Sequence, residues 1–321
     1  MSNKPTLKDI ISANHRIKPY VTRTPLHRYL SLDRILNAHI YVKHENHQRL
    51  GAFKMRGGIN LVSQLNEQER ASGVVAASSG NHGQSIAYAA GIFNTEATIV
   101  VPEQANPGKV ESMENLGANV IFHGKVFDES HTYAESIAMD TNRRFIHSAD
   151  EPHLISGVGT TTLEIIEDLP NVEVIIVPIG GGSGACGAGI AAKSINPDIK
   201  IIGVQSEHAK AAYLSWKHNK IMESPMETIA EGLATSTGYE LTKSILRDIL
   251  DDFILVTDQE LDQAIVLNLE KTHNLTEHAG ASPLAAALKI KDQLHGKKVA
   301  LIMSGGNLSI PQLKIALKQN T

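Results

Sequence analysis

Short runs of β-branched residues alternate with helical patterns along nearly the whole chain, and this alternation limits the possible folds more than any other feature. Strands are predicted at residues 40–43, 74–77, 98–101, 119–122, 174–178, 200–204, 253–256 and 299–303. Helices are predicted most clearly at 81–93, 106–116, 160–169, 258–273 and 282–293. Strands separated by helices are typical of parallel sheets, so the pattern predicts an α/β fold.

The length of the chain indicates two domains. Its 321 residues exceed the ~250–300 residues at which a single hydrophobic core stops growing. Residues 67–150 form a compact β-α-β-α-β-α pattern, in which Pro102 and Pro107 mark one loop. We therefore expect a small domain at 67–150, inserted into a large domain made of 1–66 and 151–321.

Charge and cysteine content narrow the class of protein. The formal net charge of −4 offers no basic surface to nucleic acid. The single cysteine, Cys186, excludes an internal disulfide and a cysteine-based zinc site, and it fits the cytoplasm. Residues 1–9 lack an apolar segment, so no leader peptide is expected. Residues 174–192 are uncharged, but Pro178 and several glycines favour a buried strand and turn over a membrane span.

A glycine-rich stretch, GGGSGACGAG at 180–189, follows the predicted strand 174–178. A strand that ends in glycines and opens into a helix presents free N–H groups to a phosphate. Gly182, Gly184 and Gly187 also have the G-x-G-x-x-G spacing of dinucleotide sites, with Glu207 as a candidate ribose partner. The stretch alone therefore allows a nicotinamide-dependent oxidoreductase, another phosphate site or a plain turn.

A lysine stands in an unusual setting in Gly51-Ala-Phe-Lys54-Met-Arg, between an aromatic residue and small ones. Burial would lower the pKa of Lys54 and leave a neutral amine that can attack a carbonyl group. A lysine is also commonly a solvated surface charge, so this stretch does not decide its own function.

Two more strands end in small polar residues. Ser78-Ser-Gly-Asn-His-Gly83 follows strand 74–77 and opens a helix, where it can bind an anion or simply cap the helix. Ser304-Gly-Gly-Asn307 follows strand 299–303, at the strand end where open α/β sheets bind ligands, although a simple turn is the alternative.

Together these stretches resemble the fold type II family of pyridoxal-phosphate enzymes, in its serine/threonine dehydratase and serine racemase branch. The likeness covers nearly the whole chain. Its motifs, in the family's order, are Lys43-x-Glu45-Asn46-x-Gln48-x-x-Gly51-x-Phe53-Lys54-x-Arg56-Gly57, Ser78–Gly83, Val101-Pro102…Lys109…Gly117-Ala118, Gly180-Gly-Gly, Glu277…Ala279-Gly280 and Ser304–Asn307. The resemblance implies two open, mostly parallel twisted sheets flanked by helices, as in the tryptophan synthase β-subunit. It also implies pyridoxal 5′-phosphate as the cofactor, whereas a dinucleotide leaves Lys54, Asn81 and Ser304 unexplained.

The resemblance also assigns roles around the cofactor. Lys54 would carry the cofactor as a Schiff base and later move the proton of the substrate Cα, and Phe53 would pack beside the ring. Asn81 would bond the 3′-oxygen, Ser304 would meet the pyridine nitrogen, and Glu277 would lie nearby. The phosphate would be held by Gly180, Gly181, Gly182, Ser183 and Gly184, and the substrate α-carboxylate by Ser78, Ser79, Gly80, Asn81 and His82.

The implied function is dehydration and deamination of a 3-hydroxy amino acid, such as serine, threonine or 3-hydroxyaspartate, to a 2-oxo acid and ammonia. An amino-acid racemase of the serine or aspartate type is the alternative on this scaffold, because Ser79 stands where serine racemases carry a second acid/base. A pyridoxal-phosphate carrier without turnover also remains open. We expect a cytoplasmic homodimer that acts on small molecules and binds neither nucleic acid nor membranes.

Some positions depart from the family pattern. Ala52, Val158 and Ser183 replace the usual Ser, Gln and Gly, which leaves substrate identity and enantiomer open. Gln205 and Ala211 stand where the racemases carry acidic cation ligands, so no metal site is predicted. His44 and His47 lack a third ligand and are interpreted as substrate-loop or surface residues. Only a short tail follows Asn307, so no regulatory domain is expected.

Overall fold

The structure, a computed structural model, describes residues 4–320. Residues 1–3, on which part of the leader prediction falls, lie outside that range. The strands are β1 (Leu26–Arg28), β2 (His39–His44), β3 (Val74–Ala77), β4 (Ala97–Val101), β5 (Asn119–Phe122), β6 (Arg144–Phe145), β7 (Val174–Pro178), β8 (Lys200–Ser206), β9 (Asp252–Val256) and β10 (Lys298–Met303).

The helices pack on both faces of the sheets and lead from one strand to the next. They are α1 (Leu7–Ile17), α2 (Leu30–Leu36), α3 (Lys54–Val62), α4 (Glu67–Ser72), α5 (Asn81–Ile92), α6 (Pro107–Asn115), α7 (Phe127–Thr141), α8 (Pro152–Asp168), α9 (Ser183–Ile195), α10 (Ala211–His218), α11 (Glu240–Ile249), α12 (Asp258–Thr272), α13 (His278–Lys289) and α14 (Ile310–Asn320). Among the described residues, none of these helices is both long and apolar enough to cross a membrane.

Two sheets organise the molecule. The larger has the strand order β1-β2-β10-β7-β8-β9, and only the pair β1–β2 is antiparallel. The smaller has the order β5-β4-β3-β6 and is parallel throughout. The prediction of two open, mostly parallel sheets flanked by helices is therefore confirmed.

Strand β7 shows why the central strands are continuously apolar. Val174 and Ile176 face one core cluster, which includes α12 and α13 side chains, whereas Ile175 and Val177 face another, which includes α8 and α9 side chains. A parallel strand covered by helices on both faces needs apolar residues at every position. The strand also ends directly before the glycine-rich stretch, which places that stretch at the carboxyl edge of the sheet.

Helix α3 packs with the smaller sheet. Met55 and Ile59 share a core with Val74, Ala76 and Ile99. The segment that follows Lys54 thus joins the two sheets, although it precedes the 67–150 span along the chain. The division into a small and a large domain stays a proposal.

Helix α8 begins at Pro152, eight residues before the predicted start at 160. Gly157 and Gly159 interrupt the apolar pattern there. A Cβ at Gly157 would lie 2.5 Å from the Arg56 carbonyl oxygen, and one at Gly159 would lie 3.0 Å from that of Gly187. The glycines therefore permit close helix packing, a reason that local propensity does not reveal.

Helix α13 differs from the predicted helix 282–293 at both ends, since it runs from His278 to Lys289 with Pro283 inside it. A proline cannot donate to the carbonyl of the residue four positions earlier. The Ser282 hydroxyl donates to that carbonyl, of Ala279, at 2.8 Å. The freed acceptor is thereby satisfied, and the helix continues through the proline.

Candidate active site

One cavity of about 330 Å³ lies where strands of both sheets end. The segments after β3, β7 and β10 all reach it, as does the start of α3. Its walls include every predicted site residue, namely Phe53, Lys54, Ser78, Ser79, Gly80, Asn81, His82, Gly180, Gly181, Gly182, Ser183, Gly184, Glu277 and Ser304. The structure thus brings together residues that are up to 251 positions apart, from Phe53 to Ser304.

Lys54 is the first residue of α3, and its amine faces the cavity. The Nζ atom donates to Ser183 Oγ at 3.1 Å and to the Ser148 carbonyl at 3.2 Å, and the residue takes part in no carboxylate pair among those found in residues 4–320. Burial lowers the pKa of Lys54 to about 8. A substantial part of the amine is therefore neutral near physiological pH and able to act as a nucleophile or base.

A buried cluster of charges holds the base of α3. Arg56 donates from Nε to Glu45 at 2.8 Å and from Nη1 to Glu164 at 2.7 Å, and Lys43 donates to Glu164 at 2.6 Å. All four side chains are at most 6% exposed. Burial opposes ionisation, but the two carboxylates outweigh it and raise the pKa of Arg56. These buried ion pairs therefore hold α3, which begins at Lys54, against α8 and the end of β2.

The glycine loop has no room for side chains. A Cβ at Gly180 would lie 2.5 Å from the Gly232 carbonyl oxygen, and one at Gly181 would lie 2.5 Å from the Ala149 Cβ. Gly182 has a φ of +100°, which L-residues with side chains rarely adopt. Helix α9 begins directly afterwards at Ser183. Its first N–H groups have no acceptor within the helix and suit an anion.

Asn81 and Glu277 meet across the cavity. Asn81 Nδ2 donates to Glu277 Oε1 at 2.8 Å, and Asn81 Oδ1 accepts from Asn307 Nδ2 at 2.7 Å. This fixes the amide of Asn81 and leaves its second N–H available. Burial raises the pKa of Glu277 to about 7, against the opposing charge of Lys109 and the hydrogen bond from Asn81. Asn307 belongs to the motif Ser304–Asn307, but its contact with Asn81 was not predicted from the sequence.

The loop after β3 combines a cap with unpaired groups. Ser78 Oγ accepts the Gly80 N–H at 3.2 Å, as in the capping interpretation. Both ring nitrogens of His82 are buried without a hydrogen-bond partner among residues 4–320. Burial, together with the charge of Lys54, lowers the pKa of His82 to about 3, so the ring is neutral. Buried, unpaired polar atoms at a cavity wall indicate a ligand there.

Several wall residues were not predicted from the sequence. They are Ala77, Lys109, Phe127, Ser148, Pro178, Met226, Thr228, Glu231, Gly232, Ala234, Thr235, Ser236, Tyr239 and Ala279. Lys109 belongs to the motif Val101-Pro102…Lys109…Gly117-Ala118, and its Nζ atom forms an ion pair with Glu231 Oε2 at 2.5 Å. Most of the others lie on loops, where no apolar period marks them.

At Gln205, where the racemase pattern would place an acidic cation ligand, the side chain is hydrogen-bonded to neutral groups. Gln205 Oε1 accepts the Tyr213 N–H at 3.0 Å, and Gln205 Nε2 donates to the Leu233 carbonyl at 3.4 Å. Within the described range, no three His, Cys, Asp or Glu side chains form a possible metal site. The rings of His44 and His47 stack at 4.9 Å. The absence of a metal requirement stays a prediction.

The cavity fits pyridoxal phosphate on three observations. The glycine loop, where an added Cβ would clash with neighbouring protein atoms, brings backbone N–H groups to the cavity wall, as a phosphate site requires. Lys54 supplies an amine whose pKa is about 8. Ser304 lines the same cavity, and its hydroxyl makes none of the hydrogen bonds found in the described part of the chain. The N–H groups of the glycine loop, the Lys54 amine and the Ser304 hydroxyl thus match the phosphate, the aldehyde and the ring nitrogen of the cofactor.

Comparisons with known proteins agree with this geometry. Residues 17–305 match the family described as Pyridoxal-phosphate dependent enzyme. L-threonine ammonia-lyase of Thermotoga maritima is 42% identical over 306 residues, which cover 95% of this chain and 76% of that protein. The catabolic L-threonine dehydratase of Staphylococcus aureus is 38% identical over 313 residues, 96% of this chain and 90% of that protein. The maize serine racemase structure is 34% identical, with a TM-score of 0.93 over 99% of this chain and 98% of that one.

Proposed function

The chain belongs to the family of pyridoxal-phosphate-dependent enzymes, and we propose that L-threonine is its main substrate. It is a lyase that eliminates water from a 3-hydroxy amino acid, and water then hydrolyses the enamine product to ammonia and a 2-oxo acid. The similarity to a threonine ammonia-lyase at 42% identity and to a threonine dehydratase at 38% supports threonine as the substrate.

The observation that carries the proposed lyase chemistry is the position of Lys54, whereas the choice of L-threonine rests on the similar proteins. The half-buried amine of Lys54 lies beside Ser183, at the start of α9, where the free N–H groups suit a phosphate. When bound there, pyridoxal phosphate supplies an electron sink that allows the Cα proton and the β-hydroxyl group of an amino acid to be removed.

The residues that hold the cofactor divide into two sets. The phosphate would be held by Gly180, Gly181, Gly182, Ser183 and Gly184. Phe53 would pack beside the ring, Asn81 would donate its second amide N–H to the 3′-oxygen, and Ser304 would donate its hydroxyl to the ring nitrogen. Glu277 orients Asn81 through the 2.8 Å hydrogen bond. A cofactor ring whose nitrogen is bonded to a hydroxyl group is a weaker electron sink than one bonded to a carboxylate. The weaker sink favours prompt loss of the β-hydroxyl group.

In the proposed mechanism, side chains of the protein move one proton and bind one carboxylate group. Lys54 Nζ, whose pKa of about 8 leaves part of the amine neutral near physiological pH, accepts the proton from the substrate Cα. The substrate α-carboxylate is bound by the loop Ser78, Ser79, Gly80, Asn81 and His82 at the start of α5. Lys109 of α6 and Glu231 of the opposite wall form an ion pair across the cavity.

The assembly and its setting are further proposals. The small domain 67–150 closes over the substrate, while 1–66 and 151–321 hold the cofactor. Contacts across the cavity support this division, since Asp128 accepts from Ser236 at 3.3 Å in addition to the Lys109–Glu231 pair. We propose a cytoplasmic homodimer on the family resemblance, and the buried free thiol of Cys186 fits a reducing compartment. Sedimentation of the full chain tests the dimer.

Racemisation is a second candidate activity because of Ser79. Its side chain lines the cavity that contains Lys54 and makes no hydrogen bond among those found in residues 4–320. If Ser79 returns a proton to the opposite face of the substrate Cα, Ser79→Ala abolishes racemisation and leaves dehydration within about threefold. Chiral chromatography with a 2-oxo-acid assay measures both activities. Equal loss of both would make Ser79 a carboxylate-binding residue only.

The proposed function is tested with a panel of serine, threonine and 3-hydroxyaspartate in both configurations. We expect 2-oxo acid and ammonia in equal amounts, fastest from L-threonine, only when the cofactor is bound. Reduction of a nicotinamide cofactor without ammonia release would support the oxidoreductase alternative. Cofactor binding without turnover of any substrate would support a carrier.

A further inference from the structure

A second, much smaller cavity lies behind Phe53. Its volume is about 10 Å³, and its walls come from α8, β7, α9 and β10. Most of the lining is apolar, with Val158, Val177 and Ile302 among its residues. The cavity also shares Phe53 and Ser304 with the large cavity. It therefore lies directly behind the cofactor site.

Two hydroxyl groups line this small cavity without partners. Thr161 and Thr162 are 3% and 0% exposed, and neither Oγ1 atom has a hydrogen-bond partner among residues 4–320. Their neighbour Thr160 behaves as buried threonines usually do, because its hydroxyl donates to the Gly157 carbonyl at 2.7 Å. Buried hydroxyls without a partner are rare because they lose their hydrogen bonds to water.

The size and polarity of the cavity match one water molecule. A cavity holds a water when at least one water-sized sphere fits inside it and two to four polar partners surround it. The volume here is about 10 Å³, and Thr161, Thr162 and Ser304 supply three hydroxyls. We propose that an ordered water binds in this cavity and links the two threonines to Ser304.

The consequence concerns the hydroxyl of Ser304 and rests on the proposed function. The water accepts from one threonine, and it donates to the other threonine and to Ser304 Oγ. The single hydrogen of the Ser304 hydroxyl is then free to point into the large cavity as a donor to the ring nitrogen. Thr161 and Thr162 are thus positioning residues, which act on the cofactor through the water and Ser304.

The thermal stability of the cofactor-free full chain tests the water without reference to catalysis. The double variant Thr161→Val/Thr162→Val keeps the shape but removes both hydroxyls, and we expect its Tm to fall by about 2–4 °C. Thr161→Ser/Thr162→Ser keeps the hydroxyls as a control for the lost methyl groups. An unchanged or higher Tm of the valine variant would overturn the proposal, because removing unpaired hydroxyls from a dry cavity does not destabilise the protein.

Cofactor affinity tests the link to Ser304. We expect the valine double variant to bind pyridoxal phosphate about 3- to 10-fold more weakly, with a shifted absorption maximum of the bound cofactor. The matched control is Thr141→Val, at an exposed helical position outside both cavities, and its affinity should stay unchanged. A water in the crystal structure with unchanged affinity would overturn the positioning role. Failure of the wild type to bind the cofactor would instead contradict the proposed function.

Discussion

The two halves of the large cavity are built in different ways. In the half that we propose holds the cofactor (the cofactor half), a Cβ added at Gly181 would lie 2.5 Å from the Ala149 Cβ, and the buried Arg56–Glu45 ion pair anchors the helix that begins at Lys54. In the half that we propose binds the substrate (the substrate half), a Cβ added at Gly80 would meet nothing within 4 Å, and the Ser79 side chain makes no hydrogen bond in the described part of the chain. Close packing thus restricts the residues that the proposed phosphate site can carry, whereas the open space at Gly80 leaves the proposed substrate site to a few side chains.

The largest expected effect is in the cofactor half. In the proposed mechanism Lys54 is both the amine that holds the cofactor and the base at the substrate Cα, so we expect Lys54→Ala to lower dehydration at least about 10³-fold. The fold should persist, because the apolar residues that hold α3 are Met55 and Ile59. The assay is 2-oxo acid formation, with circular dichroism as the check on folding. Lys220→Ala, at an exposed position, is the control, and activity near wild type in Lys54→Ala would contradict the assignment.

A pair of glycine variants separates the two halves. Gly181→Ala puts a methyl group against the rigid Ala149 and disturbs the phosphate site, so we expect pyridoxal-phosphate binding to weaken about 10- to 100-fold. Gly80→Ala adds a methyl group in open space, so it should leave cofactor binding unchanged and raise KM several-fold. Cofactor titration and steady-state kinetics measure the two constants. The comparison fails if both variants change the same constant.

The pH dependence of cofactor capture follows from Lys54. Only the neutral amine attacks an aldehyde, and burial lowers the pKa of Lys54 to about 8. The capture rate of the cofactor-free chain should therefore rise about tenfold per pH unit below pH 8 and level off above it. A solution lysine derivative is the control, and its rate should keep rising to about pH 10. A chain that follows the control would have a solvated Lys54.

The smallest effect is expected on chelation. Gln205 is engaged with Tyr213 and Leu233, and a hard dication prefers carboxylate oxygens. EDTA should change neither Tm nor the deamination rate appreciably. Glu207 and Glu231 are the acidic residues that could supply a site from other directions. A large drop in Tm or in the deamination rate that only Mg²⁺ or Ca²⁺ restores would show that these two residues bind a cation.

The sequence predicted the cofactor half better than the substrate half. Gly180 and Ser304 stand in motifs that follow strand ends, and Lys54 stands in a motif at the start of α3. Such motifs can be recognised in the sequence because close backbone packing allows few residue types. Strands β1 (Leu26–Arg28) and β6 (Arg144–Phe145) were missed, since two or three residues are too short to show a period.

Most of the substrate half was not predictable in the same way. Ser236 and Tyr239 lie on an irregular segment, and only the tertiary structure brings them to the cavity. The contact of Lys109 with Glu231 joins residues 122 positions apart, which a local pattern cannot show. Thr161 and Thr162 lie within the predicted helix 160–169, but a helical pattern does not show that their hydroxyls have no hydrogen-bond partner among residues 4–320, because that depends on tertiary packing.

The central claim is that Lys54 is the lysine that carries the cofactor, and peptide mapping after borohydride reduction tests it most directly. The full chain is loaded with pyridoxal phosphate, reduced, digested and analysed by mass spectrometry. We predict one modified lysine, Lys54, and a loss of modification when L-threonine is added before the reduction. Stable attachment at another lysine, such as Lys109, or no attachment at all would contradict the account.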